Sequence, residues 1–81
     1  MTKQAKPAAP RKPNLRLISL RLNAGLSPSA LAYFTGLSAP TIRLAEKGHI
    51  PDARIQFAIA EHFKTTVLDI WPLETQRELA R

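Results

Sequence analysis

The side chains able to do covalent chemistry are few. There are two histidines, His49 and His62, and no cysteine. Neither histidine has a nucleophile or carboxylate at a motif spacing. Glu61 precedes His62, but no second histidine stands at a metal-ligand interval. No glycine-rich phosphate loop is written into the chain. The pattern predicts no enzyme, no catalytic residue, no metal and no cofactor. Both histidines read as surface or boundary residues, with His49, in the loop after Gly48, able to touch a polyanion backbone.

The cations are the chemistry on offer. Twelve Lys and Arg stand against six Asp and Glu, for a formal charge of +6. They are unevenly placed. Lys3, Lys6, Arg11, Lys12, Arg16, Arg21, Arg43 and Lys47 precede Gly48 with Glu46 as the sole acid among them, whereas residues 48–81 hold four cations and five acids. A basic front half predicts one face built for a polyanion.

The elements that must carry this face are helical. With 81 residues, 44% of them hydrophobic, the chain makes one packed domain. Residues 1–13 carry Pro7, Pro10, Pro13 and four cations, bury nothing, and read as a disordered basic arm. Residues 14–73 read as five short helices in a compact all-α bundle. Asn14 caps the first, which stops at Gly25. Ser27-Pro28 starts the second, which ends near Thr35-Gly36. The third opens around Ser38-Ala39-Pro40, with Pro40 as the alternative first helical residue because a residue before proline disfavours the α region, and closes at Lys47-Gly48. Asp52 caps the fourth, whose stripe is Ile55, Ala58, Ile59 and Phe63. Thr66 to Asp69 is a near capping box for the fifth, which ends at Trp71-Pro72. Residues 74–81 extend a helix or fray. No alternation of strand type occurs.

The first helix has two apolar faces. Leu17, Leu20 and Ala24 share one, and Leu15, Ile18 and Leu22 the other. A small bundle buries one of them, so the second is a candidate contact surface. No run approaches the roughly 20 apolar residues of a membrane span, and the start leads into no signal-peptide core. A cytoplasmic protein with no membrane association and no small-molecule ligand is expected.

Residues 27–48 are the informative segment. Two short helices are joined by Thr35-Gly36-Leu37-Ser38. Ala32 lets the helices approach, Gly36 makes the sharp turn, and Leu37 and Ile42 fill the angle between them. This is the recipe of a helix-turn-helix, which holds its second helix proud of the core to enter a major groove.

The ordered set Leu20-Arg21, Gly25-Leu26-Ser27, Leu31-Ala32, Gly36-Leu37-Ser38, Ile42, Glu46-Lys47-Gly48 and Pro51 resembles the lambda-repressor-like (Cro/Xre-type) DNA-binding domain. Its closing stretch, Phe63 to Trp71, is similar to the family's last helix. The resemblance implies a five-helix lambda-repressor-like bundle and a recognition helix from about Ala39 to Glu46. It places Ser38, Ala39, Pro40, Arg43 and Leu44 toward the bases. Arg43 is the best reader, because a guanidinium donates two hydrogen bonds to guanine O6 and N7. A phosphate clamp or a solvated cation is the other reading of Arg43. Ala39, Pro40 and Leu44 have no side-chain donors and read only thymine methyls or groove shape, or fill space.

Phosphate contacts are implied for Ser27, Ser29, Tyr33, Thr41, Lys47 and Arg54, with Lys3, Lys6, Arg11 and Lys12 supplied by the arm. Where the family carries Gln at the second helix's first position this chain has Pro28, which offers neither side chain nor N–H, so that duty falls to Ser27 and Ser29. Arg21 and Glu46 are implied to form a partly buried structural ion pair. Dimer or partner contacts are expected from Leu15, Ile18, Leu22, Val67, Leu68, Ile70, Trp71 and Leu73.

Two functions fit. One is a sequence-specific, double-stranded-DNA-binding regulator, most simply a phage Cro-like or immunity-type repressor acting as a homodimer at least on DNA, with a monomer that uses the arm to widen its footprint as the alternative. The other is a module whose main role is binding a partner protein, such as an antitoxin or anti-regulator.

Overall fold

The computed structural model describes residues 11–80. Six helices follow in order: α1 (Leu15–Asn23), α2 (Pro28–Thr35), α3 (Ala39–Glu46), α4 (Ala53–His62), α5 (Val67–Ile70) and α6 (Leu73–Ala80). No strand occurs among the described residues. The fold is all-α, with one helix more than the five expected. The stretch after Pro72 forms a helix of its own, because Trp71 turns the chain into extended backbone (φ −125°, ψ 89°) and Pro72 has no N–H with which to continue α5.

Each of the first five helices begins on a local cap. The side chains of Asn14, Ser27, Ser38, Asp52 and Thr66 accept from the N–H groups of Leu17, Ala30, Thr41, Ile55 and Asp69 at 3.0–3.2 Å. A cap of this kind contributes about 1 kcal/mol. The third helix starts at Ala39, not Pro40. Ser38 holds the first turn strongly enough to keep Ala39 helical ahead of the proline, and Pro40 sits where its missing N–H costs nothing.

Helix ends repeat one motif. At α1 to α4 the chain turns through a left-handed residue, and the next N–H bonds back five residues to the helix: Leu26 to Arg21, Leu37 to Ala32, His49 to Leu44 and Thr65 to Ala60, at 2.9–3.1 Å. The left-handed residue is glycine three times, but Lys64 (φ 56°) closes α4. An L residue in that place costs roughly 1 kcal/mol or more.

Leu17, Leu31, Ile42, Ile59, Ile70 and Trp71 form the centre of the core, with Ala32, Ala45 and Ala60 letting the helices approach. Leu20, Leu26, Leu37, Val67 and Phe63 pack around it. Ile70 and Trp71, expected as contact residues, are 2% and 1% exposed and belong to the core. Four residues are too short a helix to stand alone, so α5 is held by inserting these two side chains. The indole N–H of Trp71 has no acceptor among the described residues, so packing holds the ring. Gln76 of α6 donates to the Gln56 side chain at 2.8 Å and to the Trp71 carbonyl at 3.1 Å, tying α6 to α4.

The start of α1 is bound to α5. Asn14 Nδ2 donates to the Ile70 carbonyl at 3.1 Å. Arg16 forks onto Asp69, with its Nη2 donating to Oδ2 at 2.8 Å, and Thr65 Oγ1 donates to the same carboxylate at 2.7 Å. The box expected from Thr66 and Asp69 is therefore one-sided: Asp69 spends its carboxylate on Arg16 and Thr65.

Arg16 first, and Thr65 second, hold the Asp69 carboxyl below its ordinary value of 3.8. The unfolded chain takes up this proton near 3.8, the folded chain only at lower pH. The clamp's stability is therefore complete above about pH 4 and is lost as pH falls through the lowered folded value. Melting temperature followed from pH 6 to pH 2 is expected to fall less steeply below about pH 4 in Asp69→Asn than in the parent. Parallel acid limbs would remove Asp69 from the account.

Candidate nucleic-acid interface

What positions α3 is settled on its inner face. Ile42 and Ala45 enter the core at 0% and 2% exposure, and Glu46 follows them at 9%. Glu46 meets Arg21 of α1. The Arg21 Nε donates to Oε2, the Arg21 Nη2 donates to Oε1 at 3.1 Å, and the third donor, Nη1, reaches the Leu26 carbonyl at 2.8 Å. The two side chains are only 12% and 11% exposed. Hydrogen bonding to Glu46 holds the Arg21 guanidinium above its ordinary range, against the opposing pull of desolvation. This is the pair implied by the resemblance. It fastens the last turn of α3 to α1 and to the turn that leads into α2.

The turn before α3 is equally determined. Gly36 stands at φ 74° with open space where a Cβ would be, so the left-handed backbone alone favours glycine there. Ser38 then caps α3, and its hydroxyl shares a 2.8 Å hydrogen bond with the Thr41 hydroxyl.

The outer face of α3 is open. Pro40, Arg43 and Lys47 are exposed and Leu44 is 48% exposed. Arg43 and Lys47 have no acidic partner among the described residues, which contain two ion pairs, Arg16–Asp69 and Arg21–Glu46. Ala39 is half-buried against the core and offers groove shape at most. Ser38 is exposed and Thr41 half-buried, with their hydroxyls facing each other.

The expected phosphate contacts lie around this helix in sequence order. Ser27 is exposed while capping α2, and Ser29 is exposed in its first turn. Tyr33 is 81% exposed, set edge-on against Phe34 with ring centres 5.3 Å apart. Arg54 is exposed in the first turn of α4. Of the arm, Arg11 and Lys12 are exposed, while Lys3 and Lys6 lie outside the described residues. Residues 11–13, expected as part of a disordered arm, are described by the structure, and the Lys12 carbonyl and the Arg11 Cβ lie against Gly48.

The expected contact residues divide. Leu15, Leu22, Leu68 and Leu73 are exposed at 71%, 61%, 50% and 62%. Ile18 and Val67 are half-buried, and Ile70 and Trp71 lie in the core as described. Ala24, placed on the inner face of α1 by periodicity, is exposed as the residue that ends the helix.

The sequence reading missed Phe34 and Phe57, which are 60% and 61% exposed. His62 stacks on Phe34 with ring centres 6.0 Å apart and meets Phe63 edge-on at 4.9 Å. The signal was present: Phe57 lies two residues from both Ile55 and Ile59, off the α4 stripe. No group of three or more potential metal ligands occurs among the described residues, and no described helix is long and apolar enough to cross a membrane. No family model, curated protein or solved structure matches the chain.

Truncating one partner of the Arg21–Glu46 pair strands the other in a nearly buried place. Glu46→Ala is expected to cost about 2–4 kcal/mol in denaturant unfolding, with the joint exchange Arg21→Met, Glu46→Leu costing less than the single change. Additive losses would show that the two charges act independently.

Proposed function

We propose that the chain is a double-stranded-DNA-binding transcription regulator whose helices take the lambda-repressor-like arrangement. In this reading α2 and the turn at Gly36 support α3, which lies in the major groove. Arg43 reads a guanine edge. Pro40 and Leu44 meet thymine methyls or groove shape. Lys47, Arg54 and the hydroxyls around the α2 and α3 starts hold phosphates. In this scheme it represses by occupancy, as a Cro-like or immunity-type repressor would.

The observation that carries the reading is the two-sidedness of α3. Its inner face is fixed by Ile42, Ala45 and the Arg21–Glu46 pair, while Arg43, Leu44 and Lys47 face outward with no acidic partner among the described residues. A fixed rod with free cations on its open side is what groove entry requires. One such helix reads only a few base pairs, so a dimer on a two-fold site follows, with the exposed Leu68 of α5 and Leu73 of α6 as its natural contact. The alternative, a partner-binding module of antitoxin or anti-regulator type, draws on a different observation: Leu15 and Leu22 leave an apolar strip of α1 open.

The test is selection of bound genomic fragments by the pure chain, followed by anisotropy titration on an enriched site. With about five cations per subunit on phosphates, log K is expected to fall with log salt at a slope of about −4 to −5 per subunit. Arg43→Ala is expected to lose preference for the selected site by about fivefold to a hundredfold while general binding persists. Collapse of general binding with preference intact would make Arg43 a clamp. No enrichment, together with a stoichiometric protein partner, would transfer the function to the second reading.

A further inference from the structure

Residues 11–13 lead into α1 without helical structure, yet they lie against Gly48. Gly48 has φ 106°, and its open side is covered by the Lys12 carbonyl oxygen and the Arg11 Cβ. A Cβ on residue 48 would overlap the Lys12 carbonyl and stand 2.9 Å from the Arg11 Cβ. Gly25 and Gly36 occupy the same left-handed place at the ends of α1 and α2, with nothing within 4 Å. Lys64 closes α4 at φ 56°, within reach of an L residue, whereas φ 106° at Gly48 by itself favours glycine. The close approach of the arm adds a second, steric requirement for glycine there.

A second fastening joins the arm to α3. The Asn14 N–H donates to the Glu46 carbonyl at 2.9 Å. The carbonyls of Arg43, Leu44 and Ala45 accept from Lys47, His49 and Gly48 at 3.0–3.1 Å. The last carbonyls of α3 are thus satisfied within the protein, and the cations around them must outweigh the negative dipole end of the helix to hold an anion there. Beside it opens a hollow of about 520 Å³ lined by Arg11, Pro13, Ile18, Arg43, Glu46 and Lys47. The one carboxylate there is bound to Arg21. Three cations around a shallow hollow, with its only acid neutralised, suit a phosphate group.

We infer that Gly48 is the positioning residue that seats the arm, and that the seated arm completes a site for a DNA backbone phosphate, held by Arg11 and Lys47 with Arg43 on its rim. The inference rests on the DNA-binding reading and fixes where the arm acts within it: at the C-terminal end of α3. Arg11 and Lys47 hold the duplex in register, and Arg43 is kept for the base edge.

The experiment uses the full chain and its Arg11→Gln, Lys47→Gln and Gly48→Ala variants. Without DNA, a nuclear Overhauser contact between Gly48 Hα and Arg11 Hβ is expected in the parent. In 0.1 M salt, Arg11→Gln and Lys47→Gln are each expected to weaken a selected and an unrelated duplex alike, by about eightfold, and to reduce the salt slope by about 0.9. Gly48→Ala removes no charge yet is expected to lose at least as much as Arg11→Gln, with no further loss when the two are combined. Circular dichroism checks that Gly48→Ala stays helical. If it does not, the Overhauser contact and Arg11→Gln decide.

A missing contact in the parent, losses that multiply in a folded double variant, or parental affinity and slope in Arg11→Gln would each overturn the proposal. Tighter saturable binding of inorganic phosphate than of duplex would assign the hollow to a free anion and overturn it too. A parent chain that shifts no duplex would remove the DNA reading itself, and this site with it.

Discussion

One buried pair governs the molecule. Arg21 leaves α1 and spends its donors on Glu46 of α3 and on the carbonyl of Leu26. An ion pair this far from water contributes little net stability, since desolvation offsets most of its attraction. What it supplies is geometry. A planar guanidinium meets a carboxylate in one orientation, so α1, the turn after it and the end of α3 are joined as a single piece. Everything the outer face of α3 can do depends on that joint, because α3 has only eight residues and could not hold a direction alone.

The joint also explains the division of labour along α3. Its polar anchoring sits at the C-terminal end, and its apolar anchoring, Ile42 and Ala45, enters the core where α3 packs on α2 and α1. On the outer side Arg43, Leu44 and Lys47 stand exposed and make no ion pair among the described residues. Residues there are free to be chosen for contact, and the chain places arginine, leucine and lysine on it. In the proposed function this separates affinity and reading, carried outside, from the fold, carried inside.

Much of the fold was legible because helix ends are local chemistry. Asn14, Ser27, Ser38, Asp52 and Thr66 cap within three residues of themselves, and Gly25, Gly36 and Gly48 turn the chain where they stand. What was not legible acts through space or against local preference. Nothing near Arg16 announces Asp69, 53 residues away. Lys64 in a left-handed turn contradicts its propensity, so no propensity finds it. Ile70 and Trp71 look like the exposed end of a short helix until the start of α1 and α6 close over them. Of the candidate site, the turn at Gly36 and the inward Ile42 were readable from the residues themselves, whereas the outward positions of α3 and the Arg21–Glu46 pair came from family resemblance. The seating of the arm on Gly48 was hidden, because a helix-ending glycine and a glycine under close backbone contact look alike in sequence.

The contacts of Asn14 have a geometric consequence. Its side chain holds the carbonyl of Ile70 and its backbone N–H holds that of Glu46. The strand of chain entering the bundle, the strand leaving it toward α6, and the tail end of α3 therefore share one corner. A load attached at either side, whether a fused module or a second subunit, would be delivered to that corner and felt by the same helix.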